Sequence, residues 1–172
     1  MKTFYTIFLI IGLTTTSLYS YASTKHERNA DIWNIIASFK QAIAGKDKEK
    51  FLSLFVEEEV SWIGVISDQT RQQLIEKNKK FEQQPKVIHS TPENFIDDIV
   101  KNPASLRETF DNVEIVRDND VASVVFDYVF YQNDTKRNWG QESWLLINTT
   151  KGWKIHAVNF SHTLNPVVLE KL

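Results

Sequence analysis

Glu142 and Asp127 are the two carboxylates whose neighbours could turn them into chemical groups. Glu142 stands two residues before Trp144 in the run NWGQESWLLIN, and Asp127 lies between Phe126 and Tyr128 in VASVVFDYVFYQ. A carboxyl held among apolar strand residues loses the water that favours its charged form. Its pKa then rises toward the range where it can give and take protons. Trp62, Tyr128 and Trp144 could wall a pocket beside such a group, with Asn159 and Ser161 as polar contacts, the usual make-up of a small-molecule site. Each has a plainer role open to it: Trp144 could fill a core, and Glu142 could bond a backbone group or face solvent.

Other chemistries find little support. His156 and His162 share strand parity but lie six residues apart, roughly 20 Å at strand rise, too far to hold one ion. His89 stands alone and His26 falls in a polar leader. There is no cysteine, so thiol catalysis and cysteine metal sites are excluded, and the five glycines are scattered singly without a phosphate loop. Glu57-Glu58-Glu59 reads as a solvated corner, because three consecutive side chains diverge. No metal and no cofactor is expected.

The elements that must position the candidates are three consecutive strands between Val121 and His162, rich in aromatic and β-branched residues. Strand parity puts Trp153, Ile155, Ala157, Asn159 and Ser161 on one face of the last strand, with Lys154, His156, Val158, Phe160 and His162 on the other. An even-numbered turn across Thr149 to Gly152 adds Gly140, Glu142, Trp144 and Leu146 to the first face; an odd one reverses it. On the even reading Glu142, Trp144, Asn159 and Ser161 converge inward and both late histidines point out. The face of Asp127 stays open, because Gln132 to Arg137 reads as a long turn.

Upstream, Ile32, Ile35, Ile36, Phe39, Ala42 and Ile43 recur at helical spacing, and Gly45 marks a left-handed stop. Asp47 can cap a short second helix carrying Phe51 and Phe55. Val60 to Val65 reads as a first strand. Thr70 to Lys80 reads as a polar helix, and Lys86 to His89 as a short strand. Thr91-Pro92 starts another helix that Asn102-Pro103 ends. Val113 to Val116 is a further strand, and Asp118-Asn119-Asp120 turns into the long strand from Val121. Helices first and a late run of strands predict an α+β domain with the helices on one face of an antiparallel sheet.

Lys2, the apolar run Phe4 to Leu13 and the closing Ser20-Tyr21-Ala22 read as an export signal spanning residues 1–22, leaving a single domain at 23–172 in the periplasm or outside the cell. The run is too short to span a bilayer, which takes about 20 apolar residues, so no membrane attachment is expected after cleavage. The net charge of −2, without a Lys/Arg cluster, argues against nucleic acid.

The stretches AIAGKDKEKFLSLFVEEEVSWIGV, DNDVASVVFDY, NWGQESWLLI and KGWKIHAVNFS, closing on Gly152-Trp153-Lys154-Ile155 with Ser161 eight residues past the tryptophan, resemble the nuclear-transport-factor-2-like superfamily in its SnoaL-like branch. The resemblance implies a cone: a strongly curved antiparallel sheet wrapped around the N-terminal helices, open to a ligand cavity at one end. It also implies a homodimer through the outer sheet face. It covers enzymes and non-catalytic binders alike. Isomerase-like members carry an aspartate near the first strand's entry, where this chain has Ser61-Trp62-Ile63-Gly64. SnoaL-like cyclases place histidines on the inward face of the final strand, where parity here gives Ala157 and Asn159. The expected function is therefore binding of a small apolar or aromatic ligand. An isomerase, hydrolase or dehydratase using Glu142 or Asp127, and a structural or assembly module, are the alternatives.

Overall fold

The apolar stripe of the first helix becomes the post around which the sheet curves. In the computed structural model, which describes residues 28–169, helix α1 is Ala30–Gly45. The expected export signal, residues 1–22, lies outside the described residues. Ile32, Ile35, Ile36, Phe39, Ala42 and Ile43 are all buried, as their i, i+3, i+4 spacing requires. The left-handed residue that ends α1 is Lys46 (φ 54°), not Gly45, which stays helical. Helix α2, Lys48–Leu52, is capped by the Asp47 carboxylate, which accepts from the Lys50 amide at 2.9 Å.

Strand β1 (Ser61–Ile66) is followed by the polar helix α3 (Asp68–Lys77), a 3-10 turn at Lys79–Gln83 and a short strand β2 (Val87–Ser90). Helix α4 (Pro92–Lys101) begins where Thr91 accepts from the Asn94 amide and Pro92 fills the first turn. Four long strands then run as a meander: β3 (Leu106–Arg117), β4 (Val121–Gln132), β5 (Thr135–Thr149) and β6 (Gly152–Leu164). A one-turn helix α5 (Pro166–Leu169) follows.

The six strands form one curved, unclosed sheet in the order β2-β1-β6-β5-β4-β3. It is antiparallel except for β1, which pairs parallel with β6 (Ser61 opposite Ala157 through Ile66 opposite His162). A parallel neighbour needs a long crossover, and here residues 67–151, about half of the chain, lie between the two.

Three one-residue irregularities bend the sheet. In β3 the register slips between Asp111 and Glu114, around Asn112 at φ 53°. In β5 it slips opposite Phe130 and Tyr131, which pair with Asn138 and Lys136 and skip Arg137. In β6, Leu145 faces Ala157 while Leu146 faces Ile155, which leaves His156 as the extra residue. Two turns are tighter than they look in sequence. Gln132 pairs directly with Thr135 across Asn133-Asp134, both at positive φ, the backbone of a two-residue hairpin. Thr149 pairs with Gly152, the even-numbered turn.

At the core, Phe39 is 1% exposed and its ring centroid lies 4.7 Å from that of Trp144, with Phe51 at 4.8 Å and Phe110 at 5.9 Å. Arg117 ties the other end of α1 to the sheet. It bonds Asp31 at 2.5 Å and stacks on Trp153, 4.5 Å from the ring centroid.

Candidate functional site

A cavity of about 180 Å³ opens between the inner face of the sheet, the Phe39 ring of α1 and the Phe95 ring of α4. Its walls are aromatic: Phe39, Trp62, Phe95, Phe130 and Phe160. Trp62 and Phe95 lie 5.2 Å apart, and Phe160 stands edge-on to both Trp62 and Tyr128 at 6.4 and 6.3 Å. Gly64 makes room for Phe160, since a Cβ there would lie 2.6 Å from the ring tip.

Five polar side chains face this apolar space: Glu108 from β3, Tyr128 from β4, Asn138 and Glu142 from β5, and His162 from β6. Register explains the convergence. Glu108 pairs with Phe130, Phe130 with Asn138, Tyr128 with Gly140, and Glu142 with Phe160, so all lie on the concave face. Glu142 is 5% exposed, and its Oε1 accepts from Trp144 Nε1 at 2.6 Å. Glu108 is 8% exposed and its carboxyl meets no hydrogen-bond partner among the described residues.

Burial pushes the Glu142 carboxyl up to about 7, against the pull of the Trp144 bond. Burial raises Glu108 well above the carboxylate range, and the neighbouring Glu142 charge adds to it. The Tyr128 hydroxyl is also raised, by burial first and then by the two glutamates. It donates to the Ser161 carbonyl at 3.0 Å and lies 3.5 Å from His162 Nδ1. Burial lowers the His162 pKa, so this imidazole is neutral near pH 7. Chemically the site is an apolar chamber with two acidic groups, a phenol, an amide and a neutral imidazole. Among the described residues no group of three or more His, Asp and Glu is arranged to hold a metal ion.

The sequence candidates divide. Trp62, Tyr128 and Glu142 line the cavity. Trp144 is fully buried behind it and orients Glu142 through its indole N–H. Asp127 does not face Glu142. It is exposed on the convex face, opposite Gln141, and accepts from Asn112 Nδ2 at 2.7 Å. The two-residue turn at Asn133-Asp134 and the bulge at Arg137 fix that orientation.

Asn159 and Ser161 are likewise exposed outside, in a depression shared with Ile63 and Val65. Parity does place Trp153 and Ile155 inward, but the extra residue His156 reverses the rest of β6. Val158, Phe160 and His162 therefore turn in, and the expectation that His162 points away is corrected. His156 is exposed. The Ser161 main chain still contributes, through the carbonyl that accepts the Tyr128 hydrogen bond. Gly140 allows this approach, as a Cβ there would sit 2.0 Å from that oxygen.

Glu108 was missed because the sequence reading begins this strand at Val113, whereas β3 begins at Leu106. The alternation Leu106, Glu108, Phe110 was the available signal.

No family model matches the chain, and no curated protein matches it by sequence. Solved structures do match. A nuclear-transport-factor-2-like superfamily protein from Salmonella enterica serovar Typhimurium superposes with TM-score 0.57 at 17% identity, over 80% of this chain and 92% of that one. A Novosphingobium aromaticivorans protein, inferred to be the beta subunit of an aromatic-ring-hydroxylating dioxygenase, gives 0.58 at 16% identity, over 83% and 94%. A second Novosphingobium aromaticivorans protein, of cystatin-like fold, gives 0.55 at 12%, over 87% and 91%. At these identities the likeness is one of architecture, and the architecture is the nuclear-transport-factor-2-like, or cystatin-like, fold.

Proposed function

We propose that this is an exported protein of the SnoaL-like type that binds a small, largely apolar or aromatic molecule in the chamber under α1 and α4. The observation carrying this reading is the chamber itself, five aromatic rings around a carboxyl, Glu108, that no described protein group satisfies. That carboxyl opens into the chamber, where a polar group of a ligand can pair with it without displacing a protein partner. Its volume is that of a one-ring molecule, on the scale of the roughly 150 Å³ apolar cavities that hold benzene.

The same groups support acid–base chemistry on the bound molecule, because a carboxyl near pH 7 can both give and accept a proton. We also propose that two copies pair through the convex face.

Mass spectrometry of small molecules released from the purified, denatured protein tests the binding reading. One apolar or aromatic compound near stoichiometric amounts is expected. If none is released and no one-ring compound changes Trp62 fluorescence, the reading fails. Conversion of the released compound on reincubation, lost in Glu142→Gln, would make the protein an enzyme.

A further inference from the structure

Resting on that binding reading, we propose that the chamber selects small organic cations, a protonated amine carried on a single ring, over neutral or anionic molecules of the same shape. Glu108 and Glu142 provide two acidic side chains on the concave face, and among the described residues no lysine or arginine lines the chamber to balance them. Lys40 of α1 sits 5.7 Å from the Phe110 ring centroid and does not line the chamber. The groups facing the pair from the surrounding elements are Tyr128 on β4, Asn138 and Trp144 on β5 and His162 on β6, with Phe39, Trp62 and Phe95 from α1, β1 and α4. None of these carries a positive charge when the imidazole is neutral.

The surrounding rings turn the same way electrostatically, since the face of an aromatic ring is negative and attracts an ammonium group within about 6 Å. The two glutamates divide the roles. The bond from the Trp144 indole fixes Glu142 as an acceptor, and Glu108 is left with free acceptor capacity. In the free protein burial keeps protons on the acidic pair near neutral pH, and the Glu142 charge adds to this at Glu108. An ammonium ligand replaces that compensation, so its binding expels a proton to the buffer and tightens as pH rises through about 7. A benzoate-like anion meets two carboxyls and no cation.

The test compares benzylamine, benzyl alcohol and benzoate by calorimetry with the folded protein at pH 5.5 and pH 8. Benzylamine should bind at least about tenfold tighter than benzyl alcohol at pH 8, with proton release visible between buffers of different ionisation enthalpy. That preference should narrow at pH 5.5, and benzoate should bind weakest. In Glu108→Gln, benzylamine should lose about tenfold while benzyl alcohol stays within about threefold. If that variant does not fold, the pH dependence of the wild-type protein decides. Equal or tighter binding of benzyl alcohol or benzoate at pH 8 overturns the cation preference and leaves the apolar chamber reading intact. Failure of all three probes to bind overturns both.

Discussion

Glu142 and Glu108 are costly residues to fold around. A carboxyl whose folded pKa lies above its unfolded value contributes fully to stability below the unfolded pKa and loses that contribution as pH rises through the folded one. For Glu142 the window runs from about 4.5 to about 7. At 1.36 kcal/mol per pKa unit, the loss by pH 8 is about 3 kcal/mol. We therefore expect Glu142→Gln, which keeps an acceptor for Trp144, to be more stable than the wild-type protein at pH 8 by about that amount. The gain should fade toward pH 4.5. His162 acts in the opposite sense below its usual pKa, but it is present in both proteins and cancels. Urea unfolding at three pH values checks this. A variant less stable at pH 8 would mean that something in the chamber already stabilises the carboxylate.

At the scale of elements, the features legible in the sequence are those that local physics decides. The α1 stripe, the Asp47 cap and the Thr91-Pro92 start are set by neighbours within a few residues, and they stand as read. The two ends of the site differ. Glu142 was found because its alternation with Trp144 and Leu146 is unbroken, whereas Asn159, Ser161, His162 and Asp127 lie beyond bulges. A bulge shows only when both strands are present, so periodicity along one strand cannot place the residues beyond it.

Packing between elements gives its own test. Gly64 on β1 lies against Phe160 on β6, so Gly64→Ala should push the ring into the chamber. An overpacking cost of about 1–3 kcal/mol is expected, together with lost ligand uptake. Adding Phe160→Leu should restore most of both. Additive losses in a double-mutant cycle would mean that Gly64 serves another purpose.

For the molecule as a whole, the convex face carries apolar side chains that a solitary cone leaves in water: Val116 at 73% exposed, Val121 at 53% and Leu145 at 44%. They gather near His156 around one shallow groove. Homodimerisation through this face is the proposal they support, as contiguous apolar patches tend to be interaction surfaces. Sedimentation should give a dimer that Leu145→Glu converts to a monomer without loss of melting temperature. A wild-type monomer at micromolar concentration would remove the dimer and leave the chamber untouched.

The extra residue in β6 also bears on how such a chamber could diversify. Substitution alters one wall position at a time, but flattening the bulge at 156 into regular strand, with the chain length unchanged, exchanges a whole row. Phe160 and His162 would leave the concave face and Asn159 and Ser161 would enter it. A greasy, imidazole-tipped lining would become one of amide and hydroxyl, on the same strand. Chambers of this architecture can thus differ abruptly in what they hold through the presence or absence of one bulge, with no change in chain length.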